Sequence, residues 1–282
     1  MSFQRGKEEV ERISQSARSW IVPLARLGYV AKGVVYIIIG VFAALAALGV
    51  GSSSGQTTDS RGALEEILYR PYGQFLLCVI AAGLIGYAVW RIIQAVEDTE
   101  NEGSDAKGWA KRIGYVGIGL IHASLAFSAV RLIIGSGGGS SGEESSKEWT
   151  ASLLALPFGR WLVAAVGLGV IAFAVSQFYK AYATKFREKL KTNEMSEQAE
   201  TLATRSGQIG LSARGVVFGI VGIFLVQAAL QSRAGEARGL GGALRALEQQ
   251  PFGSWILGVV AIGLVIYGLY MFVVGRYRRM IV

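Results

Sequence analysis

The string Gly28-Tyr29-Val30-Ala31-Lys32-Gly33 returns in altered form at residues 114–119 and 210–215, and each copy opens a long apolar run. A second mark follows every time. Pro71-Tyr72-Gly73, Pro157-Phe158-Gly159 and Pro251-Phe252-Gly253 each open another apolar run. The chain is one pair of apolar segments written three times, which marks a repeat architecture.

The six runs cover residues 27–48, 73–96, 113–134, 161–182, 210–230 and 254–274. Each reaches the roughly 20 residues that a helix needs to cross the hydrocarbon. Helix is the expected form, because a spanning segment must satisfy its own backbone groups. Burial inside a large soluble protein fails as an explanation. Apolar residues are 52% of 282 and charged residues only 17%, which leaves too little chain to cover six such helices. The sequence predicts an all-α polytopic membrane protein, with six transmembrane helices as three parallel hairpin repeats. Two spans per unit make successive units re-enter in one orientation, so the pseudo-symmetry axis lies along the membrane normal and three units predict a pseudo-threefold arrangement.

The first 20 residues carry Arg5, Lys7, Glu8, Glu9, Glu11, Arg12 and Arg18 and no apolar core, so the first span is expected to act as an anchor. The lone Cys78 falls in the second span. It rules out an intrachain disulfide and a cysteine metal site, and its expected role is packing. Of the 28 basic residues, 20 fall on the side of the termini and eight on the other. The positive-inside rule then places both termini in the cytoplasm of a bacterium, with the chain in its inner membrane. Acidic residues such as Glu97, Asp98, Glu100, Glu102 and Glu188 interrupt the basic ones, so the charge of +8 does not form a nucleic-acid surface.

Aligning the copies sets Gly28, Gly114 and Gly210 in one slot, Gly33, Gly119 and Gly215 in a second, and Gly83, Gly169 and Gly263 in a third. These glycines are expected to let helix backbones approach, because dispersion contacts and hydrogen bonds, not hydrophobic force, join helices in lipid. The outer connections are rich in Gly and Ser, then give short amphipathic helices at residues 63–69, 149–156 and 243–249. These read as helices lying in the interface, with a lid over a cavity as the sharper alternative. The units read as a cytoplasmic amphipathic segment 1–24, repeat 1 at 25–98, repeat 2 at 111–184, a charged cytoplasmic linker 185–206 and repeat 3 at 207–279.

Few residues suggest chemistry. Lys32 and Arg214 share a slot about 8 Å into their spans at about 1.5 Å per residue. Snorkelling to the interface is one reading; an anion or lipid-headgroup site near the axis is the other. Ile118 holds that slot in the second repeat. His122 is the only histidine, in a slot that is Tyr36 and Phe218 elsewhere. It is a candidate cofactor ligand, against the plainer reading of a neutral imidazole filling an aromatic slot and bonded to a neighbouring helix. No acidic residue lies inside a span, and one histidine builds no catalytic set or metal cluster. No enzyme activity, metal or cofactor is expected.

The string Arg26-Leu27-Gly28-Tyr29-Val30-Ala31-Lys32-Gly33-Val34-Val35-Tyr36 resembles the signature of a bacterial membrane family catalogued as domain of unknown function 1206, built of tandem two-helix units. The resemblance runs from about residue 25 to 278 in three copies. Arg214-Gly215-Val216-Val217-Phe218 keeps the basic residue, whereas Ile118-Gly119-Leu120-Ile121-His122 departs from it. The resemblance implies a fold and a membrane location, and no activity. The expected function is a non-enzymatic membrane module that packs with lipid, with a membrane-protein partner or with copies of itself. The alternative is a small-solute transporter or channel with its path on the pseudo-threefold axis.

Overall fold

The computed structural model describes residues 2–49, 59–99, 103–136 and 142–279, without the side chains of residues 2–21 and of Lys107. Among these residues it is all-α, with helices α1 (Ser2–Ala47), α2 (Ser60–Leu68), α3 (Gly73–Val96), α4 (Ala106–Ile133), α5 (Gly142–Leu154), α6 (Gly159–Tyr182), α7 (Glu197–Gln231), α8 (Leu240–Glu248) and α9 (Gly253–Tyr277). Six of them, α1, α3, α4, α6, α7 and α9, are long and apolar enough to cross a membrane. The chain is a multi-pass membrane protein.

The Pro-aromatic-Gly marks are the turns that start α3, α6 and α9. Tyr72, Phe158 and Phe252 are left-handed, with φ of 60°, 61° and 60°. A side chain on the following glycine, Gly73, Gly159 or Gly253, would strike a carbonyl oxygen of Ile67, Leu153 or Glu248 in the preceding short helix. Only glycine lets the chain fold back so tightly. The three aromatic rings stand exposed, as rings at a membrane–water boundary do.

Head-to-tail packing joins the repeats. The first helix of each repeat lies on the second helix of the one before it: α4 on α3, α7 on α6, and α1 on α9. The shared glycine slot makes all three seams. A Cβ at Gly119 would lie 3.3 Å from the Ala88 carbonyl oxygen, at Gly215 2.8 Å from the Phe178 ring, and at Gly33 2.7 Å from the Gly268 carbonyl oxygen. This cyclic order is the pseudo-threefold arrangement.

Within repeats the symmetry breaks. α1 packs on α3 and α7 on α9, but α4 and α6 barely touch. Gly28 faces Gly83 and Tyr87 closely enough that a Cβ would come within 2.6 Å of the Gly83 oxygen, and one at Gly210 within 2.6 Å of Tyr267 Cα. Their counterparts Gly114 and Gly169 face open space. Val35 and Val217 are 3% and 0% exposed, whereas Ile121 in the same slot is 60% exposed. Five of six seams of a closed ring are formed, and the sixth is a cleft inside repeat 2. The expectation that Gly114 and Gly169 pack helices is corrected, because their helices stand apart.

α1 runs unbroken through Pro23, so segment 1–24 and the first span share one helix; one proline removes a single helix bond. The linker continues into the fifth span, with Ser196 capping α7 through the Ala199 N–H. The linker is also anchored: Lys191 N–H donates to Tyr277 O at 2.8 Å, Arg279 N–H donates to Lys189 O at 2.9 Å, and Phe186 packs on Tyr270. The outer helices do not lie free in the interface. α2 turns Ala63, Leu64 and Ile67 onto the bundle, α8 turns Ala243, Leu244 and Leu247 onto it, and α5 touches both, so the three form a cap. Cys78 is exposed on α3 and does not fill the interior.

Candidate functional site

Three aromatic slots on the second helices, Tyr87, Phe173 and Tyr267, each meet the aromatic slot of the next repeat's first helix. Tyr87 lies 4.5 Å from His122, Phe173 5.3 Å from Phe218 and Tyr267 4.8 Å from Tyr36, centroid to centroid. His122 therefore occupies one of three equivalent ring pairs. Its Nδ1 lies 2.8 Å from the Ile118 carbonyl oxygen, which can only accept, so Nδ1 carries the proton. The bond is to its own helix, one turn back, and not to a neighbouring helix as the sequence reading had it.

Lys32 and Arg214 do not snorkel. They are 6% and 8% exposed. The helices begin well before the apolar runs: α1 continues through Pro23 and α7 starts at Glu197, so neither Lys32 nor Arg214 sits at a helix end. Both side chains stay inside and bond across their own hairpin. Lys32 Nζ donates to Tyr87 Oη at 3.3 Å, joining α1 to α3. Arg214 Nη1 donates to Tyr267 Oη at 2.9 Å, joining α7 to α9. In repeat 2 the same two slots hold Ile118 and Phe173, which cannot form this bond. The hairpin without the bond is the one that stands open.

A third cation completes the cluster. Arg91 donates to Tyr87 Oη from Nη2 at 2.6 Å and from Nε at 3.0 Å, and to Gln94 Oε1 at 2.9 Å. In the sequence Arg91 stands out only as one of the 20 basic residues on the side of the termini. Its position four residues after Tyr87 was the available signal, since i and i+4 share a helix face. Gln177 takes the Arg91 slot in repeat 2 and bonds back to Phe173 O on its own helix.

The aromatic rings serve the charges. Arg214 Cζ lies 4.7 Å from the Tyr267 centroid, 5.0 Å from Phe218, 5.4 Å from Tyr36 and 5.5 Å from Phe173. Lys32 Nζ is 5.0 Å from the Tyr87 centroid and 5.8 Å from Tyr267. Ring faces attract cations, but they do not accept every N–H. Tyr87 Oη faces three donor nitrogens with at most two lone pairs. Arg214 Nε is buried with no hydrogen-bond partner among the described residues. The cluster thus has more donors than acceptors, and no carboxylate pairs with Lys32, Arg91 or Arg214 among the described residues.

Residues 27–98, 113–184 and 209–278 match the family described as Domain of Unknown Function (DUF1206). The chain belongs to this family. The three matched stretches are the three hairpins, so the family's unit is the two-helix repeat. The chain is also 38% identical over 271 residues, 96% of each chain, to "Uncharacterized protein YxxB" of Bacillus subtilis (strain 168). No solved structure matches it.

His122→Phe is expected to be tolerated, with a melting temperature in detergent close to that of the parent. Phe218 already fills the equivalent slot, the ring pair with Tyr87 is kept, and one net hydrogen bond is worth about 1 kcal/mol. The purified protein should be colourless. A visible absorption band that disappears in His122→Phe would instead make the histidine a pigment ligand.

Proposed function

We propose that this protein is a non-enzymatic membrane module whose interior binds an anionic group, phosphate in character, at Lys32, Arg91 and Arg214. The observation that carries this reading is three clustered cations, Lys32 and Arg214 buried and Arg91 half-buried, with an unpaired Arg214 Nε and no carboxylate paired to any of the three among the described residues. A neutral Gln or Ser would fasten a hairpin to a tyrosine at far lower cost. Charge inside a membrane is expensive and marks function by default. Tyr29, Tyr36, Tyr87 and Tyr267 meet edge to face in the centre, and a solute path along the axis would have to displace them. This favours binding over conduction.

Replacing Lys32 and Arg214 together by Gln separates charge from hydrogen bonding. The double variant should keep its fold, because each amide still reaches a tyrosine. Thermal melting of the parent should rise with inorganic phosphate or with phosphatidylglycerol, by up to about 2.7 kcal/mol at a hundredfold excess over Kd. The double variant should not respond. Which of the two additives acts distinguishes a free anion from a lipid headgroup, and a parent protein indifferent to both would refute the reading.

We further infer that both termini face the cytoplasm of a bacterial inner membrane, from the basic residues gathered on their side. Single cysteines introduced at Asn193 and Arg238 into a Cys78→Ser background test this. A membrane-impermeant thiol reagent added to intact cells should label the Arg238 site and spare Asn193. The opposite pattern would invert the topology.

A further inference from the structure

We propose that the cleft between α4 and α6 is a lateral entrance through which an anionic phospholipid reaches the cation cluster. The inference rests on the anion-binding reading above and names its ligand.

The cleft occupies a seam that the other repeats close. Gly114, Gly117 and Ile121 on α4, and Val166 and Gly169 on α6, are exposed, whereas their counterparts in repeats 1 and 3 are all buried. Both helices are spans, so the opening faces hydrocarbon at bilayer depth. Its walls are apolar, which suits an acyl chain and repels a free ion. Its inner end carries half-buried His122 and Phe173. His122 packs on Tyr87, the shared acceptor of Lys32 and Arg91, and Phe173 lies 5.5 Å from the Arg214 guanidinium carbon. The cations therefore stand one ring behind the mouth. An occupant that enters from lipid and ends on three positive charges must be an amphiphile with an acidic head. The cap of α2, α5 and α8 covers the outer end of the bundle, leaving the side as the approach. Repeats 1 and 3 show the closed form of the same seam, so the cleft is built to a pattern that can also zip shut.

The test fills the cleft. Gly114→Phe with Gly169→Phe places rings where a Cβ meets nothing within 4 Å, and Ile121→Trp is an independent blocker should that pair fail to fold. Native mass spectrometry of the full chain, equilibrated with phosphatidylglycerol or phosphatidylcholine, reads bound lipid. The parent should retain phosphatidylglycerol and not phosphatidylcholine. The cleft-filled variants should lose at least about tenfold in affinity, a tenfold change in Kd being the smallest clear step. Lys32→Gln with Arg214→Gln should lose it too. Undiminished phosphatidylglycerol in the filled variants, with loss in the glutamine pair, would overturn the lateral entrance and leave the anion site standing. Retention in the glutamine pair would sink both. Equal retention of the two lipids would overturn the proposal as nonspecific. Stabilisation of parent and filled variants alike by inorganic phosphate would make the ligand water-soluble and overturn it as well.

Discussion

A single hydrogen bond from a basic residue on a repeat's first helix to a tyrosine on its second accompanies every closed hairpin. Lys32 makes it to Tyr87 and Arg214 makes it to Tyr267. In lipid there is no hydrophobic force to hold two apolar helices together, so interhelical polar contacts and close backbone packing must do so. Repeat 2 keeps the glycines of the seam but holds Ile118 and Phe173 where the bond would form. Its helices are held from outside, α4 by α3 and α6 by α7. The asymmetry of the ring follows from two side chains.

The same basic residues give the interior its charge. A bond that only fastened helices would not need an ammonium and two guanidiniums, whose desolvation inside a bilayer is costly. The aromatic rings around Arg214 lower that cost without removing it. The interior is therefore a fastener and, in the function proposed, also an anion receptor, and the hairpin that lacks the fastener opens beside it. Structure and proposed function meet at these residues.

Much of this was legible in the sequence. The glycine strings and Pro-aromatic-Gly marks disclosed six spans, three repeats and the recurring glycine slots. The aligned basic slot, with Ile118 as its exception, was visible too. Depth is what the sequence hides for Lys32 and Arg214: the apolar runs start only a few residues before them, whereas α1 and α7 begin much earlier, so residues that look interfacial lie inside. The sequence could not say which seams close, because Gly114 and Gly169 look identical to their packed counterparts. Only the partner side chain one turn away decides. Arg91 was hidden for a similar reason, since its role depends on sharing a face with Tyr87.

The central claim is that two hairpins are closed and one is open. Pulsed electron spin resonance in lipid nanodiscs measures this directly, with spin-label pairs at three equivalent, lipid-exposed positions in a Cys78→Ser background: Val41 with Leu76, Phe127 with Leu162, and Ile223 with Ile256. The account predicts similar distances for the first and third pairs and a longer distance for Phe127 with Leu162. Three matching distances would show a closed, symmetric ring and contradict it.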